Sequence, residues 1–229
     1  MGKKKGKNSN YSGPTGASPV PTKKSATATK SPDEKKNIIL LAIGAVLVVG
    51  IIVAIVLATI PKVSYVEMDF GEYGSIVIEV DEREAPITAD NFLKLVNDGF
   101  YDGLTIFRAQ AGFVIQGGED NTANLKPIKG EFSENGVKND ISHNRGVISM
   151  ARTNDPDSAT SQFFITLHDS AKTSLDGKYA GFGRVVEGMD VVDAIAAELM
   201  KHPSNYMGFV EDEYAIEIVS ARVIDYEAK

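Results

Sequence analysis

Cysteine is absent from the 229 residues, which excludes a disulfide framework, a thiolate metal site and a cysteine-linked lipid anchor. Stability has to come from packing. The HExxH zinc pattern, the GxSxG elbow and a Walker-type phosphate loop are also missing, so no local motif points to metal-assisted hydrolysis, a nucleophile elbow or nucleotide binding. His143, His168 and His202 stand too far apart to form a local metal motif and are read as structural or exposed. Gly181-Phe182-Gly183 is too short for a dinucleotide loop. Sequence order leaves a Ser-His-Asp triad open, since triads assemble from distant positions, but no elbow supports one. No internal repeat is visible.

A basic surplus is missing as well: the net charge is -7. It divides unevenly. Residues 1–36 hold nine lysines against Asp33 and Glu34, a surplus of +7, so the remainder carries -14. An acidic domain argues against nucleic acid as a partner, because neutralising phosphates needs clustered Lys and Arg. The basic segment is made of Gly, Ser, Thr, Pro, Asn and Lys with hardly an aliphatic residue, too little apolar surface to offset the entropy of ordering. A disordered arm is expected over 1–37.

Charge then disappears altogether from Ile38 to Ile60, IILLAIGAVLVVGIIVAIVLATI. A helix of this length would be ~35 Å long, enough for a hydrocarbon core of ~30 Å with some tilt. The lysines precede it, which places the arm in the cytoplasm and the rest of the chain across the membrane. The competing reading is a cleavable secretory signal ending near Val56-Leu57-Ala58; the long leader and long apolar run weigh against it. The reading is a retained single-pass signal anchor over 38–60, a short linker over 61–65, and a domain over 66–229 facing an extracytoplasmic space.

Within that domain, Val66, Met68 and Phe70 alternate with Glu67 and Asp69, Gly71 to Gly74 breaks the run, and Ser75 to Val80 resumes it, which predicts a hairpin. PITADNFLKLVN, residues 86–97, predicts a helix: Pro86 and Thr88 suit its start, Phe92, Leu95 and Val96 form its apolar face, and Gly99 ends it. A second helix is expected over Met189–Leu199, with Val191, Val192, Ile195 and Leu199 near one face. Ala215 to Asp225 reads as a closing strand. Many short strands with two isolated helices suggest an antiparallel barrel or sandwich with helical caps.

Three blocks remain: FRAQAGFVIQGG (107–118), GVISMARTNDPDSATSQFFI (146–165) and LDGKYAGFGRV (175–185). In this order they resemble the signature of the cyclophilins, the cyclosporin-binding type of peptidyl-prolyl cis-trans isomerase, and the likeness runs from about Val66 to the last strand. It implies a mainly β fold, a closed eight-stranded antiparallel barrel capped by two helices, here preceded by one transmembrane helix. It implies that Arg108 is the catalytic arginine and that Gln116 orients it and the substrate. Phe113, Met150, Phe164 and Leu175 would wall a proline pocket, with Gln162 as a second groove glutamine. The backbone of Arg152 would pair with bound peptide. Phe107, Ser174 and Tyr179 would border the groove.

Those residue types suit the chemistry. Amide resonance opposes peptide rotation with a barrier of ~18–20 kcal/mol, and an uncatalysed X-Pro bond turns in tens to hundreds of seconds. No bond is made or broken, so no nucleophile, metal or cofactor is required. In the twisted state the prolyl nitrogen becomes an acceptor, and a fixed guanidinium, charged at every relevant pH, can donate to it or to the substrate carbonyl. Taken singly, Arg108 would read as a surface ion-pair partner and Phe113 and Met150 as ordinary core; the three blocks in order reverse that.

Phe107 stands where many family members have His, Tyr179 where the best-known eukaryotic members have His, and Ser174 where they have Trp. The last removes an indole that helps hold cyclosporin in the family, so weak cyclosporin binding is expected. The reading is an isomerase for X-Pro bonds in exported or membrane proteins, with proline-containing polypeptides as partners. Two alternatives use the same features: a proline-binding adaptor without important turnover, and a scaffold at the membrane. Retention of Arg108 favours the enzyme, because gripping a proline ring needs the pocket more than it needs a cation.

Overall fold

The computed structural model describes residues 31–59 and 62–227. The arm expected over 1–37 therefore lies mostly outside the described residues, and its end is corrected: the first helix, α1, spans Pro32–Thr59. Proline is tolerated in a first turn, where its missing N–H has no partner to lose, and Asp33 suits the positive end of the helix dipole. The large apolar side chains described on α1, among them Leu40, Leu41, Val46 and Leu47, are exposed. Side chains there are described without a gap only from Leu40 to Val53, and among the described residues no helix is long and apolar enough to cross a membrane.

The second compact unit begins at Ile60. Its first strand, β1 (Val63–Asp69), already takes up residues expected as linker and pairs antiparallel with β2 (Ser75–Asp81), Val66 opposite Ile78. The expected hairpin is present. Then follow α2 (Pro86–Asn97), β3 (Thr105–Gln110), β4 (Val114–Gly117), β5 (Val147–Met150), β6 (Phe163–Thr166), a one-turn helix α3 (Lys172–Leu175), β7 (Gly181–Glu187), α4 (Met189–Leu199), β8 (Ile216–Glu217) and β9 (Ser220–Ile224).

The strands form one antiparallel sheet in the order β8-β3-β4-β6-β5-β7-β2-β1-β9. Its two outer strands are consecutive in the chain. Ile218 N–H donates to Leu104 O on the β3 side, and Val219 N–H donates to Asp69 O on the β1 side, so one segment grips both edges of a curled sheet. The expected eight strands thus become nine, because the closing strand breaks at Ile218-Val219 as it passes from one neighbour to the other. The edges of β3 and β1, which would otherwise be open to pairing with another chain, are thereby covered.

Inside the curl, one side chain in two along each strand fills the core: Val66 and Met68, Ile76 and Ile78, Ile148 and Met150, Phe163 and Ile165. The helix α2 lies on the predicted residues and buries Phe92, Leu95 and Val96, with Phe92 against Tyr101, Phe163 and Phe182. Its start differs in detail from expectation. Ala85, at the cap, offers no side-chain acceptor; instead the buried carboxylate of Glu131 accepts the Ile87 N–H at 3.1 Å, the Thr88 N–H at 2.8 Å and the Thr88 hydroxyl at 2.8 Å. A carboxylate from 43 residues away satisfies orphan amides where the helix dipole is positive. Gly99, at φ 68°, ends the helix as expected. The helix α4 buries Val192, Ile195 and Leu199.

Candidate active site

A second, smaller apolar cluster lies apart from the main core: Val114, Phe164, Ala171 and Leu175, with Phe113, Ala151 and Tyr179 packed on it. Strand alternation generates it. In β4, Ile115 enters the core while Val114 and Gln116 take the other face; in β6, Phe163 and Ile165 enter while Phe164 turns away. Register then aligns the outward set, Gln116 opposite both Arg108 and Phe164, and Phe164 opposite Ser149. In β3 a bulge between Ile106 and Arg108 shifts the pairing, which lets a buried Ile106 and a half-buried Arg108 lie two residues apart on different faces.

Over this cluster opens a cavity of about 270 Å³ lined by Arg108, Phe113, Val114, Gln116, Ala151, Arg152, Phe164, Leu175, Tyr179, Met207 and Phe209. Seven of the residues singled out from sequence meet here. Met150 does not: it sits opposite Phe163 in the ladder and shares its inward face, so it belongs to the main core. Ser174 is exposed on α3 and does not line the cavity. Phe107 stands beside the cavity, its ring stacked on Phe209 at 5.9 Å. Gln162 lines an adjoining pocket with Thr153, Ser158 and Thr160.

Sequence reasoning missed Val114, Ala151, Met207 and Phe209. Val114 was legible as the residue two before Gln116 on the same strand face. Ala151 lies between the named Met150 and Arg152; Met207 and Phe209 were not legible, since Met207 lies 99 positions from Arg108.

Polar groups at the cavity form one chain. Arg108 donates from Nη1 to Gln116 Oε1 at 2.7 Å, from Nη2 to Gln110 Oε1 at 2.9 Å and from Nε to Met207 O at 2.8 Å. Gln116 Nε2 donates to Gln162 Oε1 at 2.9 Å, and Gln162 Nε2 to Glu119 Oε1 at 2.7 Å. A guanidinium only donates and a carboxylate only accepts, so both ends fix the orientation of the two amides between them. Three of the five guanidinium N–H groups have these partners, which leaves two for a bound group. Burial lowers the pKa of Arg108 from its ordinary value, yet an arginine stays cationic. Arg152 donates twice to Lys178 O and lies 4.6 Å from the Tyr179 ring centroid, tying the segment after β5 to the one after α3.

Behind the pocket wall, His143 is buried. Its Nδ1 lies 2.9 Å from Asp176 Oδ1 and its Nε2 lies 3.1 Å from Ser149 Oγ. The carboxylate accepts, so Nδ1 carries the proton and Ser149 donates to Nε2. This is the order of a Ser-His-Asp triad, but Ser149 is fully buried and closed to substrate. The three groups form a structural tie beneath Phe164, on which the imidazole stacks at 6.0 Å.

A family model described as cyclophilin type peptidyl-prolyl cis-trans isomerase/CLD matches residues 65–223. The chain belongs to the cyclophilin-type peptidyl-prolyl cis-trans isomerases. It is 39% identical over 159 residues to peptidyl-prolyl cis-trans isomerase A of Dickeya dadantii, covering 66% of this chain and 80% of that protein. It is 37% identical over 159 residues to peptidyl-prolyl cis-trans isomerase B of Escherichia coli, covering 65% and 94%. Among solved structures, a cyclophilin-type isomerase of Cryptosporidium parvum shares the fold with a TM-score of 0.60 at 23% identity, over 72% of this chain and all of that one. A second structure of that protein, determined in the presence of the dipeptide Ala-Pro, matches with a TM-score of 0.57 at 24% identity, over 71% and 99%. The cyclophilin-type domain here is therefore an isomerase of peptidyl-prolyl bonds.

Proposed function

We propose that this isomerase turns X-Pro bonds in exported or membrane proteins, and that Arg108 stabilises the twisted amide. The observation that carries the mechanism is the guanidinium itself, in the wall of a cavity it shares with Phe113, Phe164 and Leu175, with three N–H groups engaged by protein and two left over. Phe113, Phe164 and Leu175 grip the pyrrolidine ring. Gln116, Gln162 and the backbone of Arg152 hold the neighbouring peptide, so the carbonyl side rotates against an immobilised proline. As conjugation is lost, a cavity N–H donates to the prolyl nitrogen or the substrate carbonyl, an interaction stronger in the twisted state than in the planar one. An acceleration of ~10⁶ needs only ~8 kcal/mol of such preference. The Ala-Pro dipeptide used with the Cryptosporidium structure supports proline-containing peptides as the substrate class.

The cellular setting rests on α1 and the residues before it. The uncharged stretch 38–60 follows nine lysines within residues 1–36, and the described apolar side chains of α1 are exposed. A single-pass anchor with a cytoplasmic N-terminus accounts for both. Alkaline extraction of membranes from cells carrying the full chain should leave it in the pellet, with 61–229 open to protease on the extracytoplasmic side; release into the wash contradicts the anchor.

The mechanism is tested with a proline peptide whose X-Pro amide is replaced by a twisted α-ketoamide. The full chain should bind it more tightly than the matched planar peptide, and Arg108→Ala should remove that preference. A preference that survives the substitution assigns transition-state binding elsewhere.

A further inference from the structure

One segment at the cavity touches the main core only through Val210 and takes no part in the cluster beneath the pocket. After α4 the chain runs through Pro203–Val210 and docks on the edge of β3. Val210 N–H donates to Phe107 O and Ala109 N–H donates to Gly208 O, both at 3.0 Å, so Phe209 is bridged to Arg108. A tight turn holds the segment together: Asn205 Oδ1 accepts from Met207 N–H at 2.8 Å and Phe209 N–H at 3.2 Å, and Asn205 N–H donates to Phe209 O at 3.0 Å. Gly208 makes the docking possible. Its φ is +85°, and a Cβ there would sit 2.2 Å from Ala109 O, so only glycine lets the two backbones approach this closely.

We infer that Phe209 is a positioning residue for Arg108, and that the strap 203–210 serves the isomerisation by holding the guanidinium at the angle the twisted amide requires. This rests on the role proposed above for Arg108. The strap grips the guanidinium at two points: Met207 O takes the Nε–H at 2.8 Å, and the Phe209 ring lies under Cζ at 5.1 Å. With Gln110 and Gln116 on the two terminal nitrogens, every nitrogen of the group has a protein partner. A long side chain that would otherwise explore many rotamers is fixed before substrate arrives, which is where positioning contributes to rate. The Phe107 ring stacked on Phe209 steadies the aromatic in turn, which gives the aromatic residue before Arg108 a task of its own.

The test uses the full chain with Phe209→Leu, which keeps apolar bulk and removes the aromatic face, Phe209→Tyr, which keeps the face, and Gly208→Val, which loosens the strap. Each is measured alone and combined with Arg108→Ala, with circular dichroism as the folding check. For Phe209→Leu we expect kcat on an X-Pro peptide to fall about fivefold to tenfold with KM within about twofold, and Phe209→Tyr to retain the parent rate. Gly208→Val should follow Phe209→Leu, and neither should lower the rate further once Arg108 is alanine. Losses that multiply with that of Arg108→Ala, or a change in KM alone, overturn the positioning role while leaving the role of Arg108 intact. If Arg108→Ala is itself fully active, the role of Arg108 falls and this one with it.

Discussion

Gln116 holds Arg108 from directly across the sheet: the two residues are paired in the ladder, and Arg108 Nη1 donates to Gln116 Oε1 at 2.7 Å. The amide is neutral, so it orients the cation without cancelling its charge. Gln116→Ala should lower kcat/KM about tenfold, the scale of one hydrogen bond to a charged group. Gln162→Ala, one step further along the chain of amides, should cost less. Steady-state rates of the two variants check the order, and the reverse order would place the main positioning contact elsewhere.

The tie beneath Phe164 makes stability depend on pH. Burial lowers the pKa of His143, and the nearby Asp176 carboxylate only partly opposes this. A histidine held neutral in the folded state binds fewer protons than the unfolded chain does, so stability falls as pH drops below about 6.5, towards the lowered folded value. Burial would raise the pKa of Asp176, but hydrogen bonds from the His143 N–H, Ser142 and the imidazole outweigh it and the net shift is downward. That group adds a loss in more acid solution, below its ordinary value of 3.8. The thermal midpoint of the parent should drop between pH 7 and pH 5.5, and His143→Gln should flatten that part of the curve; an unchanged slope contradicts the assignment.

Glu131 supplies the start of α2 with an acceptor that Ala85 cannot. Glu131→Ala leaves the buried Thr88 amide and the partly buried Ile87 amide unsatisfied and should destabilise the domain by about 1–2 kcal/mol. Glu131→Gln should recover part of this, since its carbonyl still accepts. Urea unfolding of the variants measures both, and equal stability of Glu131→Ala and parent would refute the capping role.

Ser174 is exposed on α3 beside the cavity residue Leu175. With no indole at this position, cyclosporin should bind weakly, and Ser174→Trp should tighten binding without raising the isomerisation rate. Titration against the parent and the variant checks this; tight binding by the parent would show that the indole is dispensable here.

Much of this arrangement could be read from spacing. The hairpin at 63–81 and the helices α2 and α4 fall where alternation and helical periodicity put them, because each buries a continuous face. The site was legible through the likeness of the three blocks to a known family, which carried Arg108, Phe113, Gln116 and Phe164; taken singly, Arg108 reads as a surface ion-pair partner and Phe113 as ordinary core. Met150 was misplaced because its block carries inward and outward residues side by side, and only the ladder partner, Phe163 rather than Phe164, reveals the phase. Val114 was passed over although strand alternation alone puts it on the face of Gln116, two residues on in β4. Phe209 and Met207 reach the cavity through the docking of Gly208 on Ala109, a long-range backbone contact that leaves no periodic trace. Glu131 is similar: the acceptor for α2 comes from a distant loop, and local capping rules look only at neighbouring residues.

The central claim is that Arg108 accelerates rotation and does not merely help to bind proline. The most direct measurement is exchange NMR on a short X-Pro peptide with catalytic amounts of the full chain, run beside Arg108→Ala with peptide affinity determined for both. The account predicts rapid exchange with the parent and near loss of acceleration in the variant, with affinity for the peptide largely retained. A variant that still accelerates exchange at the parent rate would contradict it.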